Sequence, residues 1–278
     1  MGSEEGHPVC VMGAGRSGTS LLARAVILLG IYFGREEAMA QPNELNPRGF
    51  WELLEVGALN EQVLESTPSR RQAGWETAAE LESFRARIET IIERHFAGQG
   101  RWGFKHWSNT LVSPLWQAVV GKLDYVICLR NPLEIRASVE AGRNLLPDAG
   151  KKPANWRLWA SYYCEALRNT AGQRRAFVFY GDWFVDPLRV VDELTTFLYG
   201  DADQVAAKVR AQVAATVEGS LYRQRASELD LAVAEQVPSE VRALYFLMRD
   251  LAVAESRGEE RAQALQAVAV AMDHPSED

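Results

Sequence analysis

Lysine, histidine and paired cysteine are all scarce in this chain, and no apolar stretch is long. Three cysteines, Cys10, Cys128 and Cys164, lie in apolar contexts without paired spacing, which speaks against a disulfide framework and fits reduced core thiols. Four histidines, His7, His95, His106 and His274, form no HxxxH or Cys/His cluster, so no metal is expected. The longest apolar run, residues 21–33, is broken by Arg24. It falls short of the roughly 20 apolar residues a bilayer span needs and reads as a buried helix. Residues 1–8 carry Glu4 and Glu5 and no basic segment ahead of an apolar one, unlike a secretory signal. A cytoplasmic protein with no membrane partner is expected.

Positive charge is also in deficit. A net charge of −7 and a pI near 5.3 argue against the broad basic face that nucleic acid requires. They leave room for one pocket where a few cations and backbone amides converge, because the local field sets such a site. Only five of the 30 basic residues are lysine, and alanine is abundant, a usage that suggests a GC-rich bacterial genome. With 278 residues, a single domain over 1–278 is expected, with a flexible leader at 1–7 and a helical C-terminal part at about 201–272.

Strands and helices alternate along the chain. Residues 7–12 read as a buried strand running into glycines and then a helix from Thr19 to about Gly30. A polar loop at 34–49 precedes helices predicted at 51–64 and 77–96. Short apolar runs at 101–105 and 124–129 suit parallel strands, with a helix around 111–120 between them. Asn131-Pro132 supplies a cap and a first-turn proline for the next helix, with Glu134 three residues past the cap. A helix at 155–171, a strand at 176–180 and a second cap-then-proline start at Asp186-Pro187 follow. Beyond residue 201 the pattern is almost wholly helical, broken near Gly258. The fold class is therefore α/β, a mostly parallel sheet of P-loop type flanked by helices. Its ligands belong beyond the C-terminal ends of the strands, where the loops after Met12, Lys105 and Leu129 converge.

The loop at 13–20, Gly-Ala-Gly-Arg-Ser-Gly-Thr-Ser, has the glycine spacing of a nucleotide-binding P-loop. Thr19, however, stands where GxxxxGKS or GxxxxGKT has lysine. That lysine reaches the β- and γ-phosphates of a triphosphate, so its absence weakens a kinase or NTPase reading. What survives is an anion cradle of backbone N–H groups, a helix N-terminus, hydroxyls and Arg16.

The sequence resembles the sulfotransferase superfamily, in the bacterial branch that is also similar to carbohydrate and tyrosylprotein sulfotransferases. GRSGTSLL (15–22) is similar to its 5′-phosphosulfate loop, and NPRGFWE (46–52) and WGFK (102–105) to two middle blocks. LRNPLEIRASV (129–139) is similar to its 3′-phosphate motif and FYGDWFVDP (179–187) to a later block. The resemblance spans about residues 8–200. It implies 3′-phosphoadenosine-5′-phosphosulfate (PAPS) as donor, adenosine 3′,5′-bisphosphate as product, and a small-molecule or glycan acceptor. It implies that Gly15, Arg16, Ser17, Gly18, Thr19 and Ser20 hold the 5′-phosphosulfate. Arg130 and Ser138 are then expected at the 3′-phosphate, with Arg223 as a late basic residue beside it.

Sulfuryl transfer needs in-line approach, charge stabilisation on the leaving oxygen and a base for the acceptor proton. Arg16 and Lys105 are the candidates for the leaving group. For the base, Glu52 is preferred over His106, which follows Lys105 in a KHWS stretch where relatives usually read Lys-Asp-Pro-Arg. Trp51, Trp75, Trp107 and the loops at 34–49 and 142–153 are the acceptor candidates. Two other readings compete, a P-loop small-molecule kinase and a catalytically inactive nucleotide-binding protein.

Overall fold

The computed structural model of the protein describes residues 6–44, 46–66, 78–145 and 155–272. Most of the expected leader, Trp75, Thr77, most of the 142–153 loop and the polar tail from 273 lie outside the described residues.

Four strands, β1 (Val9–Met12), β2 (Gly103–Lys105), β3 (Asp124–Leu129) and β4 (Arg175–Phe179), form a parallel sheet in the order β2-β1-β3-β4. The register sets Val11 between Lys105 and Val126, and Cys128 beside Val178. The helices are α1 (Thr19–Leu28), α2 (Leu54–Ser66), α3 (Ala78–Phe96), α4 (Asn109–Val120), α5 (Pro132–Leu145), α6 (Trp156–Asn169), α7 (Pro187–Tyr199), α8 (Ala207–Ala214), α9 (Glu228–Val233), α10 (Ser239–Ser256) and α11 (Arg261–Ala271). None of the described helices is long and apolar enough to cross a membrane.

Strands covered on both faces read as unbroken apolar runs, and here alternate residues feed two cores. Cys10, Met12, Tyr125 and Ile127 face a core that includes Leu59 of α2, Ile88 of α3, Trp116 of α4 and Met248 of α10. Val9, Val11, Val126 and Cys128 face the other, with Val26 of α1 and Leu194 of α7. Local chemistry sets the helix starts near the site. The Asn131 side chain accepts from the Leu133 N–H at 3.0 Å, and Asp186 caps α7 through the Arg189 N–H at 3.0 Å. Pro114 inside α4 leaves the carbonyl of Thr110 without its helical donor, and Asn169 of α6 supplies one at 2.8 Å.

Two sequence expectations need correction. The helix predicted from residue 51 begins at Leu54. Trp51 is left-handed at φ 56°, and the Glu52 carbonyl is spent on the Ala40 N–H at 2.8 Å in a short antiparallel bridge. The C-terminal part is not almost wholly helical either: between α8 and α9 the chain is a non-helical strap with one 3-10 turn at Gly219–Leu221. The break at Gly258 is present, at φ 64°.

At the N-terminal edge of the sheet the buried Asp124 binds Arg101 and Arg174, whose other donors hold the Leu198 and Phe197 carbonyls at the end of α7. Removing a buried carboxylate leaves its cations uncompensated. Asp124→Ala is therefore expected to lower unfolding free energy by about 3 kcal/mol in urea titration; a loss near zero would show the cluster to be structurally idle.

Candidate active site

The loop after β1 is shaped by what cannot fit there. A Cβ on Gly13 would lie 2.5 Å from the Cys128 carbonyl oxygen, and one on Gly18, at φ 98°, only 2.1 Å from the Tyr180 ring. Both positions demand glycine. Arg16 is left-handed at φ 68°; it and Trp51 are the non-glycine residues of positive φ among the described residues. Each costs of order 1 kcal/mol, a strain typical of functional sites. At Gly15 a Cβ would meet nothing within 4 Å, so that backbone borders open space. Ser17 instead is fully buried under the loop, with its N–H bonded to the Ala14 carbonyl at 3.1 Å. It is the one residue expected at the phosphosulfate that does not line the cavity.

Three guanidinium groups converge beside this loop. Arg16 donates from Nε to Ser138 Oγ at 3.1 Å. Arg130, at the end of β3, is clamped by Glu134 at 2.8 Å, by the Arg16 carbonyl at 3.1 Å and by the Gln224 carbonyl at 3.1 Å, with its plane over the Tyr180 ring. Arg223 projects from the strap and has no hydrogen bond or ion pair to the described residues. Burial lowers the Arg16 pKa, and the nearby Arg130 charge lowers it further. The strap is held by residues the sequence offered only as a helix start. Glu134 accepts from Tyr222 Oη and from the Ala226 N–H, and Asn131 donates to the Ala226 and Ser227 carbonyls.

Lys105, the last residue of β2, is buried beside the loop. Its ammonium donates to Glu52 Oε1 at 2.5 Å, the Phe50 carbonyl at 3.2 Å and Ser20 Oγ at 3.3 Å. Burial lowers its pKa, and Glu52 opposes that shift. Asn46, which sequence reasoning did not single out, donates to the same Ser20 oxygen at 2.9 Å. Its position in the NPRGFWE block was the available signal. His106 turns the other way. Its Nδ1 meets Ser108 Oγ at 2.6 Å, its Nε2 faces Gly57 of α2, and it does not line the cavity.

These parts enclose a cavity of about 360 Å³, within the range of small-molecule sites. Its lining includes Gly15, Arg16, Gly18, Thr19, Ser20, Glu52, Lys105, Arg130, Ser138 and Arg223, together with Arg24, Arg48, Trp51, Trp107, Phe184 and Glu218. Six cations thus face two carboxylates, in a protein of net charge −7. An excess of positive charge around an open glycine backbone fits a ligand with several anionic groups.

No protein-family model matches the sequence, and no curated protein matches it. Among solved structures, the chain is similar to sulfotransferase STF1 from Mycobacterium tuberculosis H37Rv, with 15% identity over 76% of this chain and 71% of that one and a TM-score of 0.42. It is also similar to sulfotransferase STF9 from Mycobacterium avium, with 13% identity, 77% and 68% coverage and a TM-score of 0.43. A third similar structure is retinol dehydratase in complex with androsterone and the inactive cofactor PAP, with 15% identity, 84% and 68% coverage and a TM-score of 0.44.

Burial pushes the His106 pKa down to about 4. The unfolded chain takes up this proton near pH 6.5, so the contribution of His106 is complete above that pH and is lost as pH falls toward 4. Between about pH 7.5 and pH 5 the protein is expected to lose about 2 kcal/mol through this group. Urea unfolding at both pH values should show a smaller loss in His106→Gln; equal losses would place the titration elsewhere.

Proposed function

We propose that the protein transfers the sulfuryl group of PAPS to a hydroxyl or amine of a small-molecule or glycan acceptor. The observation that carries this reading is the cluster of Arg16, Arg130 and Arg223 around a glycine loop in which Thr19 replaces the triphosphate-binding lysine. Two separated anionic groups on one nucleotide match that layout. The 5′-phosphosulfate lies along Gly15, Arg16, Gly18, Thr19 and Ser20. The 3′-phosphate takes the remaining donors of Arg130 with Ser138 and Arg223. Ser17 supports the loop from beneath.

In the reaction the acceptor oxygen or nitrogen bonds to sulfur as the bond from sulfur to the 5′-phosphate oxygen breaks. The acceptor proton passes to the Glu52 carboxylate, and adenosine 3′,5′-bisphosphate leaves. An ammonium has three N–H donors, and all three of Lys105 have acceptors within the protein. To meet charge on the leaving oxygen, Lys105 releases one of them. Releasing Glu52 serves both needs, because it frees the carboxylate to act as base. His106 is a neutral group packed on α2 and takes no part. Trp51 and Trp107 supply the apolar wall on the acceptor side.

Two measurements test this. Adenosine 3′,5′-bisphosphate should raise the melting temperature while ATP with magnesium does not; the reverse order would favour phosphoryl transfer. With PAPS and a panel of hydroxyl acceptors, followed by mass spectrometry, Glu52→Gln should lose about 10²–10⁴-fold in turnover while its nucleotide affinity stays within a few-fold. Near-normal turnover would remove Glu52 as the base.

A further inference from the structure

Ser20 sits at the meeting point of the glycine loop, Lys105 and the 46–51 loop, and its hydrogen bonds can be counted. A hydroxyl offers two lone pairs and one O–H. Asn46 Nδ2 at 2.9 Å and Lys105 Nζ at 3.3 Å occupy the two lone-pair directions. The remaining O–H has the Phe50 carbonyl at 3.5 Å, the outer limit of a hydrogen bond, and that carbonyl already receives Lys105 at 3.2 Å. Ser20 is thereby left with a poorly engaged donor on the wall of the cavity.

We infer that Asn46 is a positioning residue whose side-chain amide fixes the Ser20 hydroxyl as a hydrogen-bond donor to the anion bound in the cavity. This rests on the sulfotransferase reading and adds a residue to it. The local chain is built for the task. The backbone of Asn46 is committed to a turn, its N–H bonding the Asn43 carbonyl at 3.0 Å and the Asn43 side chain at 3.1 Å. Its side chain is left to reach α1. Two residues on, Arg48 pairs with Glu218 of the strap, so the loop is anchored on both sides of Pro47 and the amide is presented to Ser20 in a fixed place. Without Asn46 a lone pair of Ser20 is open, and the hydroxyl can turn away from the anion toward another donor.

Calorimetric titration of adenosine 3′,5′-bisphosphate into wild type, Asn46→Ala, Ser20→Ala and the double variant tests the assignment, because two residues acting through one hydrogen bond are not additive. Each single variant should weaken binding about tenfold, and the double variant no more than Ser20→Ala alone. Asn46→Asp keeps the shape of the side chain but makes it an acceptor for the Ser20 hydrogen, and it should lose more than Asn46→Ala. Losses that add in the double variant, or an Asn46→Asp protein that binds like wild type, overturn the assignment while leaving the sulfotransferase reading in place. A wild-type protein that fails to bind the nucleotide overturns both.

Discussion

The site depends on one buried ion pair at the junction of β3 and α5. Arg130 and Glu134 are 7% and 2% exposed, and between them they tie two distant stretches of chain, the glycine loop and the strap, to this junction. The Arg130 guanidinium fixes the strained carbonyl of Arg16 in the glycine loop and the Gln224 carbonyl in the strap. Glu134 takes the Tyr222 hydroxyl and the Ala226 N–H. A buried pair of this kind contributes little net stability, since desolvation offsets its attraction. Its value here is geometric, because it brings Arg223 from a distant part of the sequence to the same cavity as Arg16.

Crowding like charges has a cost that a polyanion relieves. Arg16 is shifted by burial and by Arg130, and Arg24 and Arg223 line the cavity without an ion pair to the described residues. Only Arg48 and Lys105 of the lining cations pair with the two lining carboxylates; Arg130 is matched from outside the lining by Glu134. The unmatched guanidinium groups of Arg16, Arg24 and Arg223 leave a surplus of positive charge facing the cavity, and Arg130, though matched by Glu134, keeps further N–H donors beside them. A net acidic protein can therefore present one local concentration of cations to an anionic ligand, such as the nucleotide proposed above.

Much of the framework was legible in the sequence because it is specified locally. Unbroken apolar runs marked β1 and β3, and cap-then-proline pairs marked α5 and α7. The glycine spacing marked the loop, where the contacts of Gly13 and Gly18 leave no room for a side chain. What escaped is set by tertiary contact. The strap between α8 and α9 was read as helix because its shape comes from Asn131 and Glu134, more than 80 residues earlier in the chain. Glu52 was placed on a helix because nothing nearby announces the bridge to Ala40. His106 follows Lys105 in sequence, but β2 ends at Lys105, and the imidazole meets Ser108 and Gly57 instead of the cavity. Asn46 lay within a recognised block, yet its role depends on where the hydroxyl of Ser20 falls.

In the proposed reaction the arginine cluster reads a 3′-phosphate on a nucleotide held without magnesium. Competitive titration of adenosine 3′,5′-bisphosphate and adenosine 5′-monophosphate, in EDTA and again with magnesium, tests it directly. The 3′-phosphate is predicted to strengthen binding by about tenfold or more, equally in both conditions. Equal affinity for the two nucleotides, or binding that appears only with magnesium, would contradict it.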